Sequence, residues 1–166
     1  MDLIILLSIQ ILIIFVIKLK NKRCISWDFD YTLYDPIRKK LIGNTFKLFT
    51  NMLKCNADVC ITTYRTQEEA KEIEKIIPEI QIIATNGESK VTWFKMLEGK
   101  VKKHLDDDLM LCLQLLDLPH LKIEPVWIRH HWSKEYYKNI ILPKNLKIID
   151  VTEVKEPPYL ILPVYN

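Results

Sequence analysis

CxxC pairs are absent from this chain, and its four cysteines, Cys24, Cys55, Cys60 and Cys112, stand singly in or beside apolar runs. Neither a zinc site nor a disulfide framework is indicated, and all four are expected as reduced core residues. Internal repeats and low-complexity tracts are lacking too, which excludes solenoid and array architectures. Charge of one sign is also scarce. Of 24 basic and 21 acidic residues, Lys18, Lys20, Lys22, Arg23 and Asp2 lie in the first 23 positions, leaving 20 against 20 in the remainder. General nucleic-acid binding needs a basic face that neutralises phosphates, so it is not expected of a balanced domain.

What the chain does have is apolar content, 49% of 166 residues, ample for the core of one domain. Residues 1–17 contain the uncharged run LIILLSIQILIIFVI, and residues 18–23 form the basic linker KLKNKR. The run resembles a short membrane anchor, near the lower limit of the about 17 to 25 residues that a span requires. Asp2 and the lack of a small-residue cleavage site argue against a signal peptide. A buried core helix or strand is the alternative. If the run spans, the basic cluster behind it places the rest of the chain in the cytoplasm. Without a span the chain is expected to be soluble and cytoplasmic.

Residues 24–151 alternate short apolar runs with helical patterns, which predicts an α/β fold, a Rossmann-like parallel sheet with helices on both faces, preceded by the N-terminal hydrophobic helix. The strands expected are CISW, DVCIT and QIIA, then Leu121 to Ile128 and Leu146 to Val151. Helices are expected over Asn44 to Leu53, after Thr66, from Lys90 to Leu97 behind the Asn86-Gly87 turn, and from Leu109 to Leu116. Thr66 and Glu69 have capping-box spacing, and Pro78 stops that helix. Asp108 is the expected cap of the last one. Residues 152–166 read as an extended tail packed on the domain.

The stretch WDFDYTLYD carries the chemistry. An apolar strand ends directly in Asp28, and in an open parallel sheet ligands bind at the carboxyl ends of strands. The loop behind it brings Asp30 back over the same site. Such a pair suits phosphoryl transfer through an aspartyl-phosphate, with one carboxylate attacking phosphorus and the other handling protons.

Asp28, Asp30 and Thr32 match the DxDx[TV] motif, and the chain thus resembles the haloacid dehalogenase-like superfamily. The resemblance covers roughly Cys24 to Leu116 and implies three further motifs in order. A phosphate-binding hydroxyl at the end of the next strand corresponds to Thr63, with Thr62 the runner-up. A lysine that stabilises nucleophile and phosphoryl charge corresponds to Lys90, with Lys95 second. The acidic motif in VKKHLDDDL corresponds to Asp106 as direct ligand and Asp107 as support, with His104 structural. The implied cofactor is Mg2+, held by Asp28, the carbonyl of Asp30, Asp106 and Asp107, in keeping with magnesium's preference for oxygen donors.

Only a loop and a helix fit between Asp35 and Ala57, and one helix and one short strand between Thr66 and Asn86, so no enclosing cap is expected. By resemblance, the partner is a large or exposed phosphorylated substrate: a phosphoprotein, a nucleic-acid end or a metabolite. The cluster WIRHHWSKEYY offers stacking beside the site or forms an amphipathic core edge. Adjacent His130 and His131, taken as strand neighbours on opposite faces, are given no catalytic role. The expected activity is that of a magnesium-dependent phosphatase. A tethered binding protein without turnover and a phosphotransferase to another acceptor are the alternatives.

Overall fold

The computed structural model describes residues 23–55 and 57–151. The hydrophobic run, most of the basic linker and the tail beyond Val151 lie outside the described residues, as does the expected N-terminal helix. Among the described residues no helix is long and apolar enough to cross a membrane.

Six strands form one parallel sheet: β1 (Cys24–Trp27), β4 (Val59–Thr63), β5 (Gln81–Ala84), β6 (Val101–Asp106), β7 (Glu124–His130) and β8 (Lys147–Val151). Their order is β5-β4-β1-β6-β7-β8, all parallel, which is the doubly wound arrangement. The chain fills one side through β4 and β5, then crosses back beyond β1 to lay down β6, β7 and β8. The order therefore reverses between β1 and β6, and a crevice opens there at the carboxyl ends of those strands.

Burial on both sides of the sheet follows from the alternation of side chains along each strand. Ile25, Trp27, Ile61, Leu105, Val126 and Ile128 face one layer, packing with Phe49 of α1 (Gly43–Lys54) and Ile73 of α2 (Gln67–Ile76). Cys24, Cys60 and Val101 face the other, against Val91 and Phe94 of α3 (Lys90–Met96) and Leu111 and Leu115 of α4 (Leu109–Leu116). A short α5 (His131–Tyr136) follows β7 directly.

Local signals account for the helix ends. Thr66 accepts from the Glu69 amide while Glu69 reaches back to the Thr66 amide, a complete capping box at α2. Asp108 caps α4 by accepting from the amides of Met110 and Leu111.

Three expectations need correction. The strand expected from Leu121 begins at Glu124, because Pro119–Leu121 forms a 3-10 turn that ends at Lys122 with φ 54°, a left-handed residue no strand can include. His130 and His131 are not strand neighbours, since the first ends β7 and the second opens α5. Cys55 is exposed at the end of α1, whereas Cys24, Cys60 and Cys112 are buried as expected. Before α1 the chain also holds a small antiparallel hairpin, β2 (Tyr34–Asp35) with β3 (Lys40–Leu41). The Asp35 carboxylate closes its turn by accepting from the amides of Ile37 and Arg38.

Phe49 is fully buried edge-on against Trp27, with ring centroids 5.7 Å apart. Phe49→Ala should destabilise the fold by about 3–5 kcal/mol, and Thr66→Ala, which removes only the cap, by about 1 kcal/mol. Urea unfolding of the two variants measures both, and equal losses would contradict this division of core and cap.

Candidate active site

Asp28 is the first residue beyond β1, its amide bonded to the Leu105 carbonyl across the β1–β6 boundary at 2.8 Å. Asp106 ends β6 on the other side of that boundary, and Asp107 follows it into the loop. Oxygens of Asp28, Asp106 and Asp107 all lie within 4.8 Å of one another, and all three residues are buried. Lys90, wholly buried at the start of α3, places its Nζ 2.5 Å from Asp28 Oδ1 and 2.6 Å from Asp106 Oδ2. A lysine so placed loses its hydration and gains two carboxylates in return.

The turn before α3 delivers that lysine. Glu88 N bonds Thr85 O at 3.0 Å, with Asn86 and Gly87 at φ 54° and 80° between them, the positive φ that Asn-Gly tolerates. The turn is fastened to the loop after β4, because the Asn86 and Gly87 amides donate to the carbonyls of Arg65 and Tyr64. The Asn86 side chain accepts from the Gln67 amide as well.

One ammonium is too little for three buried carboxylates. For Asp106 burial works upward, but the Lys90 charge and the bond from His104 outweigh it and hold the carboxyl below the ordinary range. For Lys90 burial works downward, and the two carboxylates hold its pKa above the usual lysine value. The deficit falls on the other acids. Burial, with Asp106 and Asp30 nearby, pushes Asp28 up to about 8 despite Lys90. Burial and the charges of Asp106 and Asp28 raise Asp107 well above its ordinary value.

His104 is fully buried and its pKa is lowered by burial, so it is neutral. A carboxylate can only accept, so His104 Nε2–H donates to Asp106 Oδ2 at 2.8 Å. Nδ1 then accepts from Ser26 Oγ at 3.0 Å, and Ser26 accepts in turn from Thr62 Oγ1 at 2.7 Å. The chain of hydroxyls and ring fixes the Asp106 carboxylate from beneath.

Thr63 lies with Asp28, Lys90, Asp106 and Asp107 in the lining of one cleft of about 330 Å³, whereas Thr62 is engaged with Ser26 below it. Lys95 is exposed on α3 and does not reach the cleft. Asp30 also lines the cleft, but its carboxylate is not one of the clustered three. Both its oxygens instead accept from Arg65, at 2.7 and 2.8 Å. Arg65 in turn lies over the Phe29 ring, 5.1 Å from its centre. Thr32 braces Asp107, donating to its carboxylate at 3.2 Å.

Arg65, Ser26 and Tyr64 carry no chemical role in the sequence analysis, whereas Trp132 and Tyr137 belong to the WIRHHWSKEYY cluster, for which stacking beside the site is one of two expectations, and both line the cleft. Ser26 and His104 were accessible in principle, since each lies two positions before a site aspartate and so faces the same side of its strand. Arg65 reaches Asp30 only through the packing of the loops after β1 and β4, and Trp132 enters the cleft lining from α5. Comparison with protein-family models, curated proteins and solved structures gives no match.

The donor set suits a hard divalent cation: carboxylate oxygens only, clustered, buried and short of positive charge. In the presence of chelator, Asp28 keeps its proton up to about pH 8 when folded, and only to about pH 4 when unfolded. Folding takes up a proton in that interval, so stability falls as pH rises through it, by at most about 1.4 kcal/mol per pH unit for this group. From about pH 7 to 8 the buried histidines, His104 and His130, are largely neutral in both states and do not mask the slope. Urea unfolding should show stability declining over that range, and both Asp28→Asn and excess Mg2+ should flatten the decline. A rise in stability would contradict the charge deficit.

Proposed function

We propose that the chain is a magnesium-dependent phosphatase of the haloacid dehalogenase-like type, acting through an aspartyl-phosphate on Asp28. The observation that carries this reading is the Lys90 ammonium bridging Asp28 and Asp106 beside Asp107, where the strand order reverses. A nucleophile, a fixed cation and a group of oxygen donors converge there, which is what in-line displacement at phosphorus requires.

In this reading an Asp28 oxygen attacks phosphorus and the ester bond to the leaving oxygen breaks. Lys90 balances charge on both Asp28 and the incoming phosphoryl oxygens. Thr63 binds one of those oxygens at the end of β4, and Asp30 takes the proton of the water that later cleaves the acyl-phosphate. Asp28, Asp106, Asp107 and the Asp30 carbonyl would hold Mg2+, which would supply the missing positive charge and polarise the phosphoryl group. Thr32, His104 and Ser26 keep the carboxylates in place. The open cleft fits the absence of a cap between Asp35 and Ala57.

Hydrolysis of a generic aryl phosphate by the protein should require Mg2+, stop with chelator, and fall by at least about 10³-fold in Asp28→Asn. Unchanged turnover in that variant would overturn the assignment. Membrane attachment through residues 1–17, with the domain facing the cytoplasm, is part of the same proposal. Alkaline extraction of membranes should leave the chain in the pellet, and complete release would count against a span.

A further inference from the structure

The carboxylate expected to protonate the leaving group is held as an acceptor. Both Asp30 oxygens accept from Arg65, at 2.7 and 2.8 Å, a two-point pair that occupies the carboxylate on both sides. Arg65 is itself fixed, stacked over Phe29 and bonded to Glu72 at 3.4 Å. With both oxygens engaged as acceptors, Asp30 turns no O–H toward a leaving group in this arrangement.

That bias selects among phosphate esters. An alkoxide leaving group, nearly as basic as hydroxide from water of pKa about 15.7, needs a proton as the ester bond breaks. A phenoxide, whose parent acid ionises near about pKa 10, leaves without one.

The walls of the cleft point the same way independently. Beside the carboxylates and Lys90, the lining consists largely of Tyr31, Tyr64, Met110, Trp132 and Tyr137. The Tyr64 ring centre lies 4.6 Å from Lys90 Nζ, which is 2.5 Å from the Asp28 oxygen. An aromatic wall therefore stands in the same cleft as the nucleophile and the lysine, and a group leaving in line, on the far side of phosphorus from Asp28, must be accommodated within that cleft. Tyr64 remains a neutral phenol, because burial pushes its pKa up to about 12. Ring-on-ring contact of this kind contributes beyond the area it buries.

We infer that this cleft takes phosphate monoesters of phenols, phosphotyrosine among them, in preference to alkyl phosphates, with Arg65 as a positioning residue acting through Asp30. The inference rests on the phosphatase reading above. An Asp28 oxygen forms a bond to phosphorus, the P–O(aryl) bond breaks, and its electron pair leaves on the phenoxide, which takes a proton from solvent. Water then bonds to phosphorus, its proton passes to Asp30, and the acyl P–O bond breaks with its electrons returning to the Asp28 carboxylate.

The test compares kcat/KM of the full chain, with Mg2+, for phenyl phosphate, a phosphotyrosine peptide, a phosphoserine peptide and glycerol phosphate. Both aryl substrates should exceed both alkyl ones by at least about tenfold, the margin being leaving-group chemistry. Preference for phenyl phosphate over the peptide, or the reverse, identifies a free or a protein-borne source. In Arg65→Gln the aryl-to-alkyl ratio should fall, because the two-point pair that occupies both Asp30 oxygens is lost; a merely structural role would lower all four rates together. Tyr64→Leu should raise KM for the aryl substrates alone. Equal rates, or faster alkyl hydrolysis, that still require Asp28 would overturn the inference and leave the phosphatase reading intact. Absence of Asp28-dependent turnover with every substrate would overturn both.

Discussion

The Lys90 ammonium, wholly buried, is shared between two carboxylates and faces a third. Buried charges of like sign repel strongly and are stable only when compensated, so this arrangement constrains the carboxyl edge of the sheet. Asp106 has a second donor besides the lysine, because His104 donates to it as well. At Asp28 and Asp107, burial together with the neighbouring carboxylates raises the proton affinity. A site short of positive charge in this way would gain stability from a bound divalent cation.

The fold supplies the geometry for this charge arrangement. Reversal of strand order between β1 and β6 brings Asp28 and Asp106 side by side although they are far apart in sequence. A turn with two positive-φ residues starts α3 at the depth needed for Lys90 to reach them. The polar chain through Thr62, Ser26 and His104 runs inside an otherwise apolar layer beside Cys24, Cys60 and Phe94. Every member of that chain has a partner, so the polar atoms do not penalise the core as unpaired ones would.

Much of this was legible in the order of residues. Short apolar runs separated by capped helices gave the parallel sheet, and the strand ending in Asp28 marked the carboxyl edge. Asp28, Thr63, Lys90, Asp106 and Asp107 do come together in one cleft. The turn at Lys122 escaped notice because Leu121, Ile123 and Val126 continue an apolar pattern that carries no sign of a left-handed residue. Cys55 was misplaced by the same habit, since it follows the apolar face of α1 without lying on it. The Asp30–Arg65 pair depends on how two loops meet, and spacing along the chain holds no record of that meeting. Trp132 and Tyr137 approach the cleft from the opposite half of the domain, and the aromatic cluster that holds them pointed equally to stacking beside the site and to a core edge.

The backbone bonds that join Tyr64 and Arg65 to the Asn86-Gly87 turn have a further consequence. They couple the aromatic wall and the arginine to the lysine helix, so the part that meets a ligand and the part that balances charge behave as one mechanical unit. Substitutions in the two loops will not combine additively, as expected of neighbours that share backbone partners. Divergence of such a chain toward new ligands would then proceed by paired changes in both loops, with single changes to the wall disturbing the position of the ammonium as well.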